Sequence, residues 1–248
     1  MTSFQSRSVH ACPSCGTFFL RHRLATINFF GTKDWSDGMP TAWWKKEPLL
    51  RCDHCAALFW FDHVALAGIL PRQPRPMRGL TRIWMRWRGD PQGRLRDEAE
   101  WRHAPASWKS AQYIGHVNVQ DAAYVLANDK GLCRDKLLWL RKRIWWSLND
   151  RYRSLADISP MPDVSTEPEV DERANMQAIL DLLKDGEMQS RDLIEAGELL
   201  RLLGRFDEAV DMLKRVLPDG HNEIRAVKIE KLARSGDTQV QLLSQHVL

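Results

Sequence analysis

The sequence predicts an α+β protein, in which a small N-terminal β module organised by cysteines precedes a mostly helical body. Two Cys-x-x-Cys pairs, each followed by a run of apolar and aromatic residues, lie within residues 1–70. Apolar residues recur at helical spacing from about residue 105 onwards. All 11 tryptophans lie between Trp35 and Trp146, so this part of the chain can build a core from few residues.

The composition of the 248-residue chain, with 44% hydrophobic and 27% charged residues, argues against global disorder. The net charge of +4 is unevenly distributed, since residues 1–159 carry +11 and residues 160–248 carry −7. Such asymmetry predicts two modules and favours an acidic partner for the basic one.

No stretch of the sequence reaches the roughly 18 apolar residues that a membrane span needs, and residues 1–12 lack the apolar run of a secretory signal. We therefore expect a cytoplasmic protein that does not enter a membrane. In a reducing compartment, Cys-x-x-Cys pairs indicate metal ligands rather than disulfides.

The first predicted domain covers residues 1–70. Its two cysteine turns run into strand-like segments at 17–20 and 57–61, and Gly16 after the first turn suits a positive φ. The long segment between Cys15 and Cys52 is rich in turn formers and aromatics. This pattern predicts a small antiparallel sheet with a long, aromatic insertion.

Four cysteines are the candidate ligands of one structural Zn²⁺ in this domain: Cys12, Cys15, Cys52 and Cys55. Each Cys-x-x-Cys turn aims two thiolates at one point, and two facing turns complete a tetrahedral set with no open position for a catalytic water. This arrangement is a zinc ribbon. A redox pair, an iron–sulfur cluster and buried thiols are the alternatives.

Other residues near the cysteine turns are secondary candidates. His54 and His63 are alternative metal ligands. His54, however, lies inside a turn whose two cysteines already supply ligands, so we expect its side chain to face solvent or to hydrogen-bond to a ligand. Arg21 and Arg51 could offset the negative charge of a tetrathiolate site. Cys133, at the start of a predicted helix, is interpreted as a half-buried ordinary thiol.

The second predicted region, residues 71–153, is basic, rich in tryptophan and partly helical, and we expect it to pack on the ribbon. Within 71–104 we expect irregular structure with one short element near 80–87. Asn118 is a candidate N-cap, and Gly131 separates two helices. The outer face of the second helix is expected to carry Arg134, Lys136, Arg141, Lys142, Arg143, Arg151 and Arg153.

Arginines and tryptophans that alternate in sequence can bind nucleic acid, because guanidinium groups contact phosphates and indoles stack on bases. The alternative is a core of tryptophans covered by arginine side chains. The candidate nucleic-acid-binding residues are Arg82, Arg86, Arg88, Arg141, Lys142 and Arg143.

Residues 154–170 form the predicted linker, with three prolines and a change from basic to acidic composition. The last predicted domain, residues 171–248, has helical segments near 171–184, 191–203, 207–217 and 222–235. Residues 196–218 resemble a tetratricopeptide repeat, through Leu202-x-Gly204, Phe206, Ala209 and Pro218, and a partial second unit reaches Gly236. A plain bundle of helical hairpins remains the alternative.

Several stretches occur in a familiar order: Trp35-Ser36-Asp37-Gly38, the Cys52–Cys55 turn running into Phe59-Trp60, the helix 143–151 and the segment 196–209. This order resembles a family of bacterial proteins with an N-terminal zinc ribbon and C-terminal tetratricopeptide-like helices. The resemblance implies a bacterial cytosolic source and cysteine zinc ligands, but no catalytic residues. The stretch 145–151 is interpreted as structural, and we expect Trp146 and Asn149 to bridge the ribbon and the helices.

The function favoured by the sequence is a non-enzymatic binding or scaffold protein, with zinc fixing the N-terminal module and the C-terminal helices contacting a protein partner. Nucleic-acid binding through the ribbon and the basic region is the alternative. The sequence contains no phosphate-binding loop, His-Glu-x-x-His helix, Gly-x-Ser-x-Gly elbow or deaminase signature. A catalytic site assembled in space remains open.

Overall fold

A computed structural model describes residues 3–26, 32–39, 47–71, 73, 98–115, 117–153, 170–218 and 220–245. The predicted α+β architecture is confirmed, with antiparallel strands and the four cysteines in the N-terminal part and a mostly helical body after them. None of the helices in these ranges is long and apolar enough to cross a membrane. The chain divides into two compact units, which we call the β unit (1–28 with 46–117) and the helical unit (29–45 with 118–248).

The strands in chain order are β1 (Ser3–Ala11), β2 (Phe18–Thr26), β3 (Lys33–Trp35), β4 (Leu49–Arg51), β5 (Leu58–Trp60), β6 (Leu66–Leu70), β7 (Gln112–Tyr113) and β8 (Leu242–Gln245). The helices are α1 (Ala106–Lys109), α2 (Val119–Asn128), α3 (Arg134–Leu148), α4 (Glu172–Lys184), α5 (Ser190–Leu202), α6 (Phe206–Leu213) and α7 (His221–Arg234). Residues 98–103 are also helical. The four predicted C-terminal helices are therefore present, although α6 ends at Leu213 rather than near residue 217.

The β unit contains a four-stranded sheet with the order β6-β1-β2-β7, in which β1 is antiparallel to both of its neighbours and β7 runs parallel to β2. Strands β4 and β5 form a separate antiparallel hairpin. Val9, Leu20 and Leu70 form a cluster that packs against Trp101 and Trp108. These two tryptophans therefore contribute to the core, as one of the two interpretations of the tryptophan-rich region expects.

The helical unit is built around a core shared by α3, α4, α5 and α6. Trp145, Ile179, Leu199 and Ala209, one from each helix, have no solvent-accessible surface. Helix α2 begins at the predicted N-cap, because the Asn118 side chain accepts a hydrogen bond of 2.8 Å from the backbone N–H of Asp121. Local capping and the apolar stripes of the helices thus explain why these segments fold as they do.

Two helix ends in this unit have the same geometry. Gly204 after α5 and Gly236 after α7 have φ values of 79° and 71°. Each glycine N–H bonds to the carbonyl of the residue three positions before it, and the N–H of the following residue bonds to the carbonyl five positions before itself, that of Leu200 or Leu232. This pair of bonds is the Schellman motif, which requires a residue with positive φ at that position.

Helices α5 and α6 approach closely at Gly197. A Cβ atom added at this position would lie 2.6 Å from Leu213 Cγ, a separation that real side chains do not tolerate. The absence of a side chain therefore sets how closely the two helices pack.

Residues 32–39 belong to the helical unit, although the sequence pattern groups them with the cysteine module. Strand β3 pairs antiparallel with β8, and Ser36 exchanges two hydrogen bonds with Gln241, of 2.8 and 3.0 Å. Asp37, which is 2% exposed, accepts hydrogen bonds from Arg153 Nη2 and from Asn149 Nδ2 (3.0 Å). Residues 32–39 are thus held to the rest of the helical unit by strand pairing and buried polar contacts.

Trp146 and Asn149 do contact the segment between the cysteine turns. Trp146 Nε1 donates a hydrogen bond of 3.1 Å to the Asp37 carbonyl. Because residues 29–45 cluster with the helices, this contact lies inside the helical unit. The predicted linker 154–170, apart from Val170, and the predicted element 80–87 lie outside the described residues, so the division of the chain at these positions remains a prediction.

Candidate metal centre

The first cysteine turn connects β1 to β2. Cys12 N–H donates to the Thr17 carbonyl and Gly16 N–H donates to the Cys12 carbonyl, both at 2.9 Å. Gly16 has φ = 73°, as expected from its place after the second cysteine. The turn thus closes on itself and holds the Cys12 and Cys15 side chains on one loop.

The second cysteine turn connects β4 to β5 in the same way. Cys52 N–H donates to the Ala57 carbonyl at 2.9 Å, and Ala56 N–H donates to the Cys52 carbonyl at 2.8 Å. Ala56 takes the place of Gly16 and has φ = 57°, the only positive φ of a non-glycine residue in the described part of the chain. A side chain in this conformation costs roughly 1 kcal/mol, so the surrounding turn imposes it.

The two turns bring the four cysteine sulfurs together. All four sulfur atoms lie within 4.8 Å of one another. The Cys12–Cys55 and Cys15–Cys52 sulfur pairs are each 3.8 Å apart. The cluster is half embedded, because Cys12 and Cys52 are 2% and 5% exposed while Cys15 and Cys55 face solvent.

The buried cysteines belong to a small apolar core. Cys12 and Cys52 pack with Phe19, Leu50 and Phe59, which come from β2, β4 and β5. Because strands next to both turns contribute, this core holds the two turns against each other. The apolar runs after each cysteine pair therefore have a direct role in positioning the sulfurs.

Hydrogen bonds from the Thr17 hydroxyl and backbone N–H lower the pKa of the Cys15 thiol to about 6. The Ala57 backbone N–H likewise lowers the pKa of Cys55, but desolvation and the other three thiols outweigh it and raise that pKa to about 12. The sulfurs thus compete for negative charge, and a bound cation would stabilise the thiolate form of all four. This donor set suits a thiophilic metal ion with tetrahedral coordination.

The neighbouring histidines are not part of the cluster, and Arg21 makes its described contacts elsewhere. His54 and His63 are exposed, and His63 pairs with Asp62 at 3.3 Å. The Arg21 guanidinium lies 3.8 Å above the Phe61 ring and donates to the Glu47 carbonyl. Among the described residues, the group able to hold a metal ion consists of the four cysteines.

Half of the candidate nucleic-acid-binding residues, namely Arg82, Arg86 and Arg88, lie outside the described residues. The others are in α3. Lys142 forms an ion pair of 2.6 Å with Glu195 of α5. Arg141 Nη1 donates to Asn175 Oδ1 of α4 at 3.2 Å, and Asn175 Nδ2 donates back to the Arg141 carbonyl. Arg143 is half-buried.

The expectation that the cations of α3 and the following turn form an outer face was wrong for two of them. The Arg153 side chain has no exposed surface and that of Lys142 is 14% exposed. Both face acidic groups of the same unit, Asp37 and Glu195. The Lys142–Glu195 pair joins the basic part of the chain to the acidic part, so some of the charge asymmetry is neutralised inside the helical unit. Cys133, expected to be half-buried, is exposed at the N-cap of α3.

The sequence did not predict the roles of two residues, Thr17 at the cysteine cluster and Asp37 in the helical unit. Thr17 lies 3.4 Å from the Cys15 sulfur through its hydroxyl, and the corresponding residue in the second turn is Ala57. The difference is visible when the two turns are aligned on their cysteines. Asp37 belongs to the stretch Trp35–Gly38 that is named in the sequence analysis, but nothing near it in sequence indicates its buried partner Arg153.

The chain was compared with protein-family models, curated proteins and solved structures, and none of them matches it.

Proposed function

We propose that this protein is a non-enzymatic binding protein, in which one structural Zn²⁺ held by Cys12, Cys15, Cys52 and Cys55 fixes the β unit. The main support for the proposal is that four cysteine sulfurs lie within 4.8 Å of one another. They come from two turns with the same backbone hydrogen-bond pattern.

Zinc fits this donor set better than the alternatives. Four thiolates in a tetrahedral arrangement select Zn²⁺ or iron, and Zn²⁺ has no redox chemistry of its own. A complete set of protein ligands leaves no coordination position for a substrate or water, so the ion would stabilise structure rather than catalyse a reaction. Thiolate ligands also favour a reducing, cytosolic compartment.

The helical unit offers the surface that we assign to a protein partner. Helix α7 exposes Ile224 and Val227, at 57% and 59%, one turn apart on the same face, and Leu217 just before the helix is 69% exposed. Adjacent exposed apolar side chains are typical of interaction sites. The matching helix ends at Gly204 and Gly236 support the tetratricopeptide-like interpretation, and with it the resemblance to the bacterial zinc-ribbon family.

The metal part of the proposal is tested by metal analysis of the purified protein. We expect one zinc per chain, loss of zinc when any of the four cysteines is changed to serine, and retention in Cys133→Ser. Substitution with Co²⁺ should give the visible spectrum of a tetrahedral thiolate site. Iron in place of zinc, or less than half an equivalent of metal, would contradict it.

The partner surface is tested by cross-linking in the native cell. We expect a partner that cross-links to the native protein and not to an Ile224→Lys, Val227→Lys double variant. Tyr124→Lys is the matched control, since Tyr124 is 63% exposed on α2. Identical cross-links in all three proteins would contradict this surface.

A further inference from the structure

Two sulfur–sulfur contacts of 3.8 Å in the cysteine cluster run between the two turns. Cys15 of the first turn lies 3.8 Å from Cys52 of the second, and Cys12 lies 3.8 Å from Cys55. Each pair joins one exposed sulfur with one buried sulfur, because Cys15 and Cys55 face solvent while Cys12 and Cys52 are buried. An oxidant from solvent therefore reacts first with the exposed sulfur of each pair, and the buried sulfur of that pair is close enough to attack the oxidised one.

We propose that the cluster is a peroxide modification site, at which oxidation of the exposed cysteines forms the disulfides Cys15–Cys52 and Cys12–Cys55 and releases the metal. This inference rests on the proposed zinc site. It adds a substrate class, hydroperoxides, and a defined pairing of the four sulfurs.

The chemistry balances with hydrogen peroxide as the oxidant. The Cys15 thiolate attacks one peroxide oxygen, which forms an S–O bond, breaks the O–O bond and releases hydroxide, so that a sulfenic acid results. The Cys52 thiolate then attacks the Cys15 sulfur, forms the S–S bond and expels a second hydroxide. Each disulfide thus consumes one peroxide and two electrons, and the same steps apply to Cys55 and Cys12.

The pairing between turns has a structural consequence. Strands β1 and β2 flank the first turn, and β4 and β5 flank the second, so both disulfides would join the two hairpins covalently. The link that the metal supplies would be replaced by covalent bonds rather than lost. A thiol reductant and Zn²⁺ would then restore the original site.

Thr17 makes the two exposed sulfurs unequal. Its hydroxyl lies 3.4 Å from the Cys15 sulfur, while Ala57 at the matching position has no hydroxyl. A hydrogen bond donated to a thiolate reduces its nucleophilicity. Removal of the hydroxyl in Thr17→Val should therefore increase the rate of zinc release by peroxide about two- to tenfold, the factor that corresponds to the free energy of one hydrogen bond. Ser14→Ala, at the exposed tip of the same turn, is the matched control and should leave the rate unchanged.

Digestion with trypsin distinguishes the pairings directly. Cleavage after Arg7, Arg21, Arg51 and Arg72 places one cysteine turn in peptide 8–21 and the other in peptide 52–72. The experiment treats the zinc-loaded full chain with hydrogen peroxide, follows zinc release with a chromogenic chelator, blocks free thiols and digests without reductant. The Cys133→Ser variant is treated in parallel to remove disulfides between chains.

We expect zinc release together with one joined species of peptides 8–21 and 52–72, whose fragmentation shows Cys15–Cys52 and Cys12–Cys55. Two separate peptides with internal disulfides, sulfinic acids, or zinc retained at millimolar peroxide would overturn the inference while leaving the proposed zinc site intact. A chain purified without zinc would instead contradict the proposed function, before any peroxide is added.

Discussion

Asp37 and Arg153 form an ion pair with no exposed side-chain surface, although they lie far apart in the chain. Asn149 Nδ2 donates to the same Asp37 carboxylate oxygen, and the Trp35 ring lies 5.3 Å from the Arg153 guanidinium. Arg153 also donates to Asp150 at 2.8 Å. The pair attaches residues 32–39, which lie between the two cysteine turns, to the turn that follows α3.

The first prediction concerns the loss of this carboxylate. Asp37→Asn should lower the free energy of unfolding of the helical unit by about 3 kcal/mol, because it leaves a buried guanidinium with one fewer counter-charge. The measurement is urea unfolding of the full chain, followed by tryptophan fluorescence. Asp211→Asn is the matched control, since Asp211 is 75% exposed beside Lys214, and it should change stability by less than about 0.5 kcal/mol. Equal changes in the free energy of unfolding for both substitutions would show that the buried pair does not stabilise the attachment of residues 32–39.

The second prediction exchanges the residues at the two equivalent positions of the cysteine turns. Ala56→Gly should stabilise the zinc-loaded β unit by about 1 kcal/mol, because it removes a Cβ from a residue with positive φ. Gly16→Ala should destabilise it by a similar amount, since it creates the same strain in the other turn. Thermal unfolding of the two variants at saturating zinc checks the sign. Destabilisation by Ala56→Gly would contradict the strain that we assign to the second turn.

The third prediction concerns the close approach of α5 and α6. Gly197→Ala should cost about 1–3 kcal/mol, because its Cβ would collide with Leu213. In the Gly197→Ala, Leu213→Ala double variant the collision is relieved, so the total loss should be smaller than the sum of the two single losses.

Gly131→Ala is the control for the third prediction, because a Cβ there would meet its nearest neighbour, Asp129 Oδ1, at 3.6 Å. It should change stability by less than about 0.5 kcal/mol. Additive losses for Gly197 and Leu213 would mean that the two positions do not collide.

The sequence predicted the features that depend on residues close together in the chain. The two Cys-x-x-Cys turns and the N-cap at Asn118 follow from local chemistry, and the structure contains each of them. The convergence of the two cysteine turns was also predictable despite their separation in the chain, because four metal ligands are needed and each turn supplies two.

Contacts between distant side chains could not be predicted in this way. Lys142 and Arg153 were expected at the surface because cations usually are, but their acidic partners Glu195 and Asp37 lie in remote parts of the sequence. Hydrophobic periodicity predicts which face of a helix is buried, but it does not predict which element packs against that face. The same limit explains why residues 32–39 were assigned to the cysteine module rather than to the helices.

Hydrogen–deuterium exchange with and without metal is the most direct test of the central claim, that the four cysteines hold a structural metal ion fixing the β unit. After removal of zinc with a chelator under reducing conditions, we expect amide protection to fall sharply in the four strands that flank the cysteine turns, β1, β2, β4 and β5. Protection in α4 and α5 should remain, and added Zn²⁺ should restore the lost protection. Unchanged protection of the four strands after complete removal of zinc would contradict the account.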